Sequence, residues 1–196
     1  MLCARRMYRP IALAACLGFA FSGGAWATEE KKEKPKPIAN YTMAILPPAD
    51  ADNITPSEIY IDVTHFTTDQ ERAALLTLVK EKGQSAALSA AQDKPVGTLR
   101  RAGGLGYDIL YAFKQTSADG DRIVVATLRF PVYQGAVMNA DPMLMPFTLA
   151  SFVPTPDGKG KGKIYGAVAL QFDKDGKLDM SAYPASAADL AFARIK

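Results

Sequence analysis

The stretch DGKGKGKIYGAVALQF, Asp157–Phe172, decides the fold because it admits two incompatible readings. Three glycines alternate with three lysines after an Asp-Gly pair. As a phosphate cradle it would open a helix in a parallel sheet; as a hairpin tip it would join antiparallel strands. A phosphate-binding loop follows its lysine with Ser or Thr and a helix, whereas Lys163 is followed by IYGAVALQF, a strand pattern. The dinucleotide fingerprint fails too, since its third glycine position is occupied by Lys163 and no parallel βαβ unit surrounds it. The stretch therefore reads as a hairpin tip whose lysines keep an exposed loop soluble.

The same Asp-Gly signal recurs at Asp119-Gly120 and Asp175-Gly176, where glycine supplies the positive φ that a tight turn requires. Between these turns the chain alternates with a period of two. Strands are expected at Tyr41–Leu46, Glu58–His65, Val96–Arg101, Tyr107–Thr116, Arg122–Phe130, Pro146–Val153, Lys163–Phe172, Leu178–Tyr183 and Leu190–Ile195. In the second of these, Ile59, Ile61, Val63 and His65 share one side, and Glu58, Tyr60, Asp62 and Thr64 the other.

One segment breaks the pattern. In TTDQERAALLTLVKEKG, Thr68 and Glu71 form a capping box, Leu75, Leu76, Leu78 and Val79 give an apolar stripe, and Gly83 is a natural stop. A second short helix is expected over Ser85–Gln92, before Pro95. The fold class is therefore α+β: a mainly antiparallel sheet of about nine strands, as a curled sheet, partial barrel or sandwich, with one helical pair near 68–92 on a face or end.

The N-terminal sequence MLCARRMYRPIALAACLGFAFSGGAWATEE has the form of a secretory signal peptide: three arginines, an apolar run from Ile11 to Phe21, and a small-residue A-W-A ending at Ala27. Residues 1–27 are expected to be removed, 28–37 to form a charged, proline-rich linker, and 38–196 to fold as a single domain. An alternative is a lipoprotein anchored through Cys16, because Leu13-Ala14-Ala15-Cys16 resembles a lipobox; the short gap after Arg9 argues against it.

Both cysteines, Cys3 and Cys16, lie in this leader, so the mature chain would have neither disulfide nor thiol. Removing Arg5, Arg6 and Arg9 from 23 basic residues leaves 20, against 20 acidic ones, so the precursor's excess charge resides in its leader. That balance argues against nucleic acid as a partner. No later segment is long and apolar enough for a transmembrane helix.

Chemistry is constrained by what is scarce. A cysteine nucleophile is excluded from the mature chain, and His65 as the sole histidine excludes a multi-histidine zinc site. No G-x-S-x-G elbow is present. The acidic clusters Asp50–Asn53 and Asp173–Asp179 lack a complete calcium-loop ligand set and read as turn chemistry. No cofactor or metal is expected. The unusual segment is FPVYQGAVMNADPMLMPF, Phe130–Phe147, whose Val132, Tyr133, Val137, Met138, Met143, Leu144 and Met145 make it too apolar for an ordinary connection. It is expected to lie on the body of the protein, Tyr133, Val137 and Leu144 against the sheet and the methionines nearer the surface, and is the candidate ligand or partner surface.

The phrases TTDQERAALL, GLGYDILYAF, DGDRIVVATLRF and PFTL, in that order, resemble a family of exported bacterial proteins of unknown function, over about Tyr41 to Ile195. The resemblance implies export and supplies no activity. Two departures stand out: the family pattern has an Asp where Leu128 stands, and a polar segment where Met143-Leu144-Met145 stand. Three functional classes remain: a non-enzymatic binding module for an apolar small molecule, using the sheet interior or the Val132–Met145 segment; an envelope structural or interaction protein; and a hydrolytic enzyme using carboxylates or His65. The first two are favoured over the enzyme, because the mature chain lacks cysteine and has a single histidine in a strand pattern, so a non-enzymatic role in the periplasm or outside the cell is expected.

Overall fold

Alternating apolar residues form strands where one side is dry and the other wet, as in the first two strands. In the computed structural model, which describes residues 35–46, 56–117, 120–128, 144–183 and 188–195, β1 (Ala39–Leu46) buries Tyr41, Met43 and Ile45 while Asn40 and Thr42 turn outward. In β2 (Ser57–Val63), Ile59, Ile61 and Val63 are fully buried. Then come α1 (Asp69–Lys82), α2 (Gln84–Gln92), β3 (Gly97–Arg101), β4 (Gly106–Ser117), β5 (Gly120–Leu128), β6 (Phe147–Val153), β7 (Gly160–Val168), a 3-10 turn at Met180–Ala182, and β8 (Ala188–Ile195).

Every strand pairs antiparallel with its sequence neighbour, and β8 returns to β1, so the sheet closes into an eight-stranded barrel. Closure removes both sheet edges, and with them the unpaired backbone groups an open sheet would expose. The sheet is thus neither open nor a sandwich, and it has eight strands, not nine. The difference is Leu178–Tyr183, which makes one bridge, Phe172 to Leu178, and then coils into the 3-10 turn. Its alternation is real, but no neighbouring strand offers a ladder to join.

The interior is apolar, and the outward positions of β2 and β3 are polar. Among the described residues no helix is long and apolar enough to cross a membrane. Tyr41 of β1 and Phe152 of β6, strands that are not neighbours, meet edge to face inside the barrel with ring centroids 5.1 Å apart. At this level side chains fill the interior, as expected for eight strands. Buried side chains from β1 to β8, among them Met43, Ile61, Leu99 and Ile164, form the apolar cluster there.

A second apolar cluster lies outside the barrel. Leu110, Tyr111, Val124, Ala126, Phe147 and Leu149 are covered by Leu75 of α1, Leu88 and Ala91 of α2, and the segment carrying Leu170, Leu178 and Tyr183. The helical pair thus packs on an outer face of the barrel. Its capping box is formed: the Thr68 hydroxyl accepts from the Glu71 N–H at 3.2 Å, and the Glu71 carboxylate accepts from the Thr68 N–H at 2.8 Å.

Gly158 and Gly176 of the Asp-Gly turns take φ of +75° and +71°, and Gly120 takes +114°; Asp119 lies outside the described residues. The glycine-lysine run, however, is only partly a tip. The turn ends near Lys159, and Gly160–Lys163 already belong to β7. Gly162 pairs with inward-facing Phe152, and a Cβ on it would collide with the Ser151 carbonyl oxygen and Phe152 Cβ. At Gly160 a Cβ would strike the carbonyl oxygens of Val153 and Ala193. The glycines therefore let β6, β7 and β8 approach closely, while Lys161 and Lys163 face solvent.

Candidate functional site

The helical pair is held at its ends and loose in its middle. At the entry to α1, the Thr67 N–H donates to the Ala112 carbonyl at 2.7 Å and the Ala112 N–H donates to the Thr67 hydroxyl at 3.0 Å. At the start of α2, the Gln84 side chain bonds both the carbonyl and the N–H of Leu170, at 2.9 and 3.0 Å. Between these straps no residue of α1 is fully buried, although Leu75 and Leu78 face the barrel side. Helices in small domains gain most of their stability from a packed apolar face, so α1 is under-packed.

The space left over is a cleft of about 240 Å³ between α1, α2 and β4. Leu75, Leu78, Ala91, Val96 and Leu110 make its walls apolar. Glu71 and Lys94, both exposed, mark its rim, and Tyr111 lines it from β4. Tyr111 is only 1% exposed and its hydroxyl has no hydrogen-bond partner. Burial pushes that phenol well above its ordinary pKa, with the Arg72 cation pulling the other way, so the hydroxyl is a neutral donor.

Arg72 supplies a second unsatisfied donor. Its guanidinium lies 4.7 Å from the centre of the Phe113 ring and one nitrogen bonds Asp69 at 2.9 Å, but its other terminal nitrogen is buried without a partner. The Tyr111 and Phe113 rings are 6.3 Å apart. Each unpaired donor is costly; Tyr111 lines the cleft, whereas Arg72 acts on Tyr111 electrostatically without being among the lining residues.

His65 is not in the strand register expected for it. It is exposed past the end of β2 and its Nε2 lies 3.0 Å from the Glu71 carboxylate. That carboxylate also accepts from the Thr68 N–H and hydroxyl, and these bonds, the backbone one foremost, hold it down to about 2. The Thr68 hydroxyl faces the carboxylate and not the imidazole, so this trio caps a helix and does not form a nucleophile with its base. Asp173 accepts from the Asp175 and Lys177 N–H groups, and Asp179 caps the 3-10 turn, as turn chemistry requires. Among the described residues no group of three or more His, Cys, Asp or Glu is placed to hold a metal.

Of the apolar segment singled out in the sequence, Val132, Tyr133, Val137, Met138 and Met143 lie outside the described residues. Leu144 is 64% exposed and Met145 43%, so Leu144 does not rest on the sheet as expected. The cleft at Tyr111 was not signalled as a site by the sequence. Its one local sign is the apolar stripe that contains Leu75 and Leu78. No family model, curated protein or solved structure matches this chain.

Proposed function

We propose that this chain is an exported binding module whose barrel serves as a rigid wall and whose helical pair serves as a cover for an apolar ligand with a hydrogen-bond-accepting head, a carboxylate being the best fit. One observation carries the reading: the buried Tyr111 hydroxyl lacks a partner at an apolar cleft roofed by a helix with no fully buried residue. An apolar chain between Leu75, Leu78 and Leu110 would supply the packing α1 lacks, and an acceptor near Tyr111 would take up its free donor. Arg72 adds a charge that favours an acidic head over a neutral one. Export is proposed on the form of the leader.

The test is a titration with a fluorescent long-chain carboxylic acid. Wild-type protein is expected to bind it saturably, and Ala91→Phe, which fills the cleft, to weaken binding about tenfold while leaving the urea midpoint unchanged. Unaltered binding in that variant would refute the cleft as the site.

A further inference from the structure

A second surface is built for a different chemistry. The outer face of β6 and β7, where it borders β5 and β8, holds a groove lined by Arg122, Lys161, Lys163, Tyr165 and Ser151. Inward glycines at 160 and 162 leave Lys161 and Lys163 to face outward side by side on one strand. Ser151 pairs directly with Lys163 across the ladder, and Arg122 lies one residue from Ile123, which pairs with Phe152. The three cations and the serine are therefore neighbours in the sheet, not merely in the chain.

Two features separate this groove from an ordinary solvated face. Ser151, one of the lining residues, is 4% exposed, and its buried hydroxyl has no hydrogen-bond partner. The local charge is also unbalanced: Asp189, opposite Lys163 in the β7–β8 ladder, is the one acidic residue lining the groove, and Lys159 is already engaged with Asp157 at 3.3 Å. Arg122, Lys161 and Lys163 make no ion pair among the described residues.

We propose that this groove is a phosphate-binding site, taking the phosphate monoester of a soluble or lipid-borne ligand. The donor set decides the class. A carboxylate offers two oxygens in one plane and one charge, whereas a phosphate monoester carries nearly two charges and three oxygens that a guanidinium, two ammonium groups and a buried hydroxyl can meet from different directions.

The experiment follows the backbone amides of Ser151, Lys161 and Lys163 by NMR while the purified protein is titrated with inorganic phosphate and with glycerol 3-phosphate. Flotation with phosphatidylcholine vesicles carrying either phosphatidic acid or phosphatidylglycerol runs in parallel. Saturable shifts that Arg122→Gln/Lys163→Gln weakens about tenfold and Ser151→Ala about fivefold support a soluble phosphate ligand. Flotation with phosphatidic acid alone, lost in the same variants, supports a lipid source. The matched control, Lys80→Gln/Lys82→Gln on α1, is expected to change neither. No saturable shift together with no vesicle binding, equal flotation with phosphatidylglycerol, or equal loss in the α1 control would each overturn the site.

Discussion

Tyr111 and Glu71 both line the cleft, and their hydrogen bonding is opposite in character. The Tyr111 hydroxyl is buried and unpaired, a condition that costs about 1–3 kcal/mol. Tyr111→Phe removes the stranded group while keeping the ring, so it is expected to raise the stability of the ligand-free protein by about 1 kcal/mol in urea unfolding and to weaken binding of an acidic probe. A drop in stability instead would show that the hydroxyl is satisfied. Glu71 is oversupplied with donors, and its folded pKa of about 2 lies below its unfolded value near 4.5. The stabilisation it confers is therefore present above pH 4.5 and lost as pH falls through about 2. Because the group is half exposed, the effect is modest. Urea midpoints of wild type are expected to decline across that window more steeply than those of Glu71→Gln, and parallel curves would refute the assignment.

At the scale of elements, what the sequence revealed was what depends on near neighbours. The Thr68–Glu71 box and the Asp-Gly glycines were legible because a cap and a turn are settled within a few residues. The role of Gly160 and Gly162 was not, since it depends on Ser151, Phe152 and Ala193, which reach them only through strand register. Leu178–Tyr183 failed for the same reason: alternation marks a strand only when a partner stands beside it. The cleft was least legible of all, because a gap between two elements leaves no residue of its own in the chain. Gly162→Ala is accordingly expected to cost about 1–3 kcal/mol, the range for forcing atoms into a packed site. Gly104→Ala, whose Cβ would meet its nearest neighbour at 3.4 Å, should stay within about 0.5 kcal/mol. Equal effects in thermal unfolding would contradict the close approach of β6, β7 and β8.

Taken as a whole, the molecule separates rigidity from access. The closed barrel, spanned inside by Tyr41 and Phe152, leaves its interior to structure. The proposed binding site lies on the outer wall, where α1 and α2 are strapped at Thr67 and Gln84 and under-packed between. Such a cover can loosen without disturbing any barrel ladder, so entry of a ligand need not unfold the sheet. The apolar Val132–Met145 segment remains the rival location, and Met143→Asp is the variant that would disable it. The most direct measurement is therefore of position: intermolecular NOEs between a long-chain carboxylic acid and the methyl groups of the labelled protein. The account predicts contacts from the alkyl chain to Leu75, Leu78 and Leu110. Contacts to Ile61 and Leu99 inside the barrel, or only to Met143 and Met145, would contradict it.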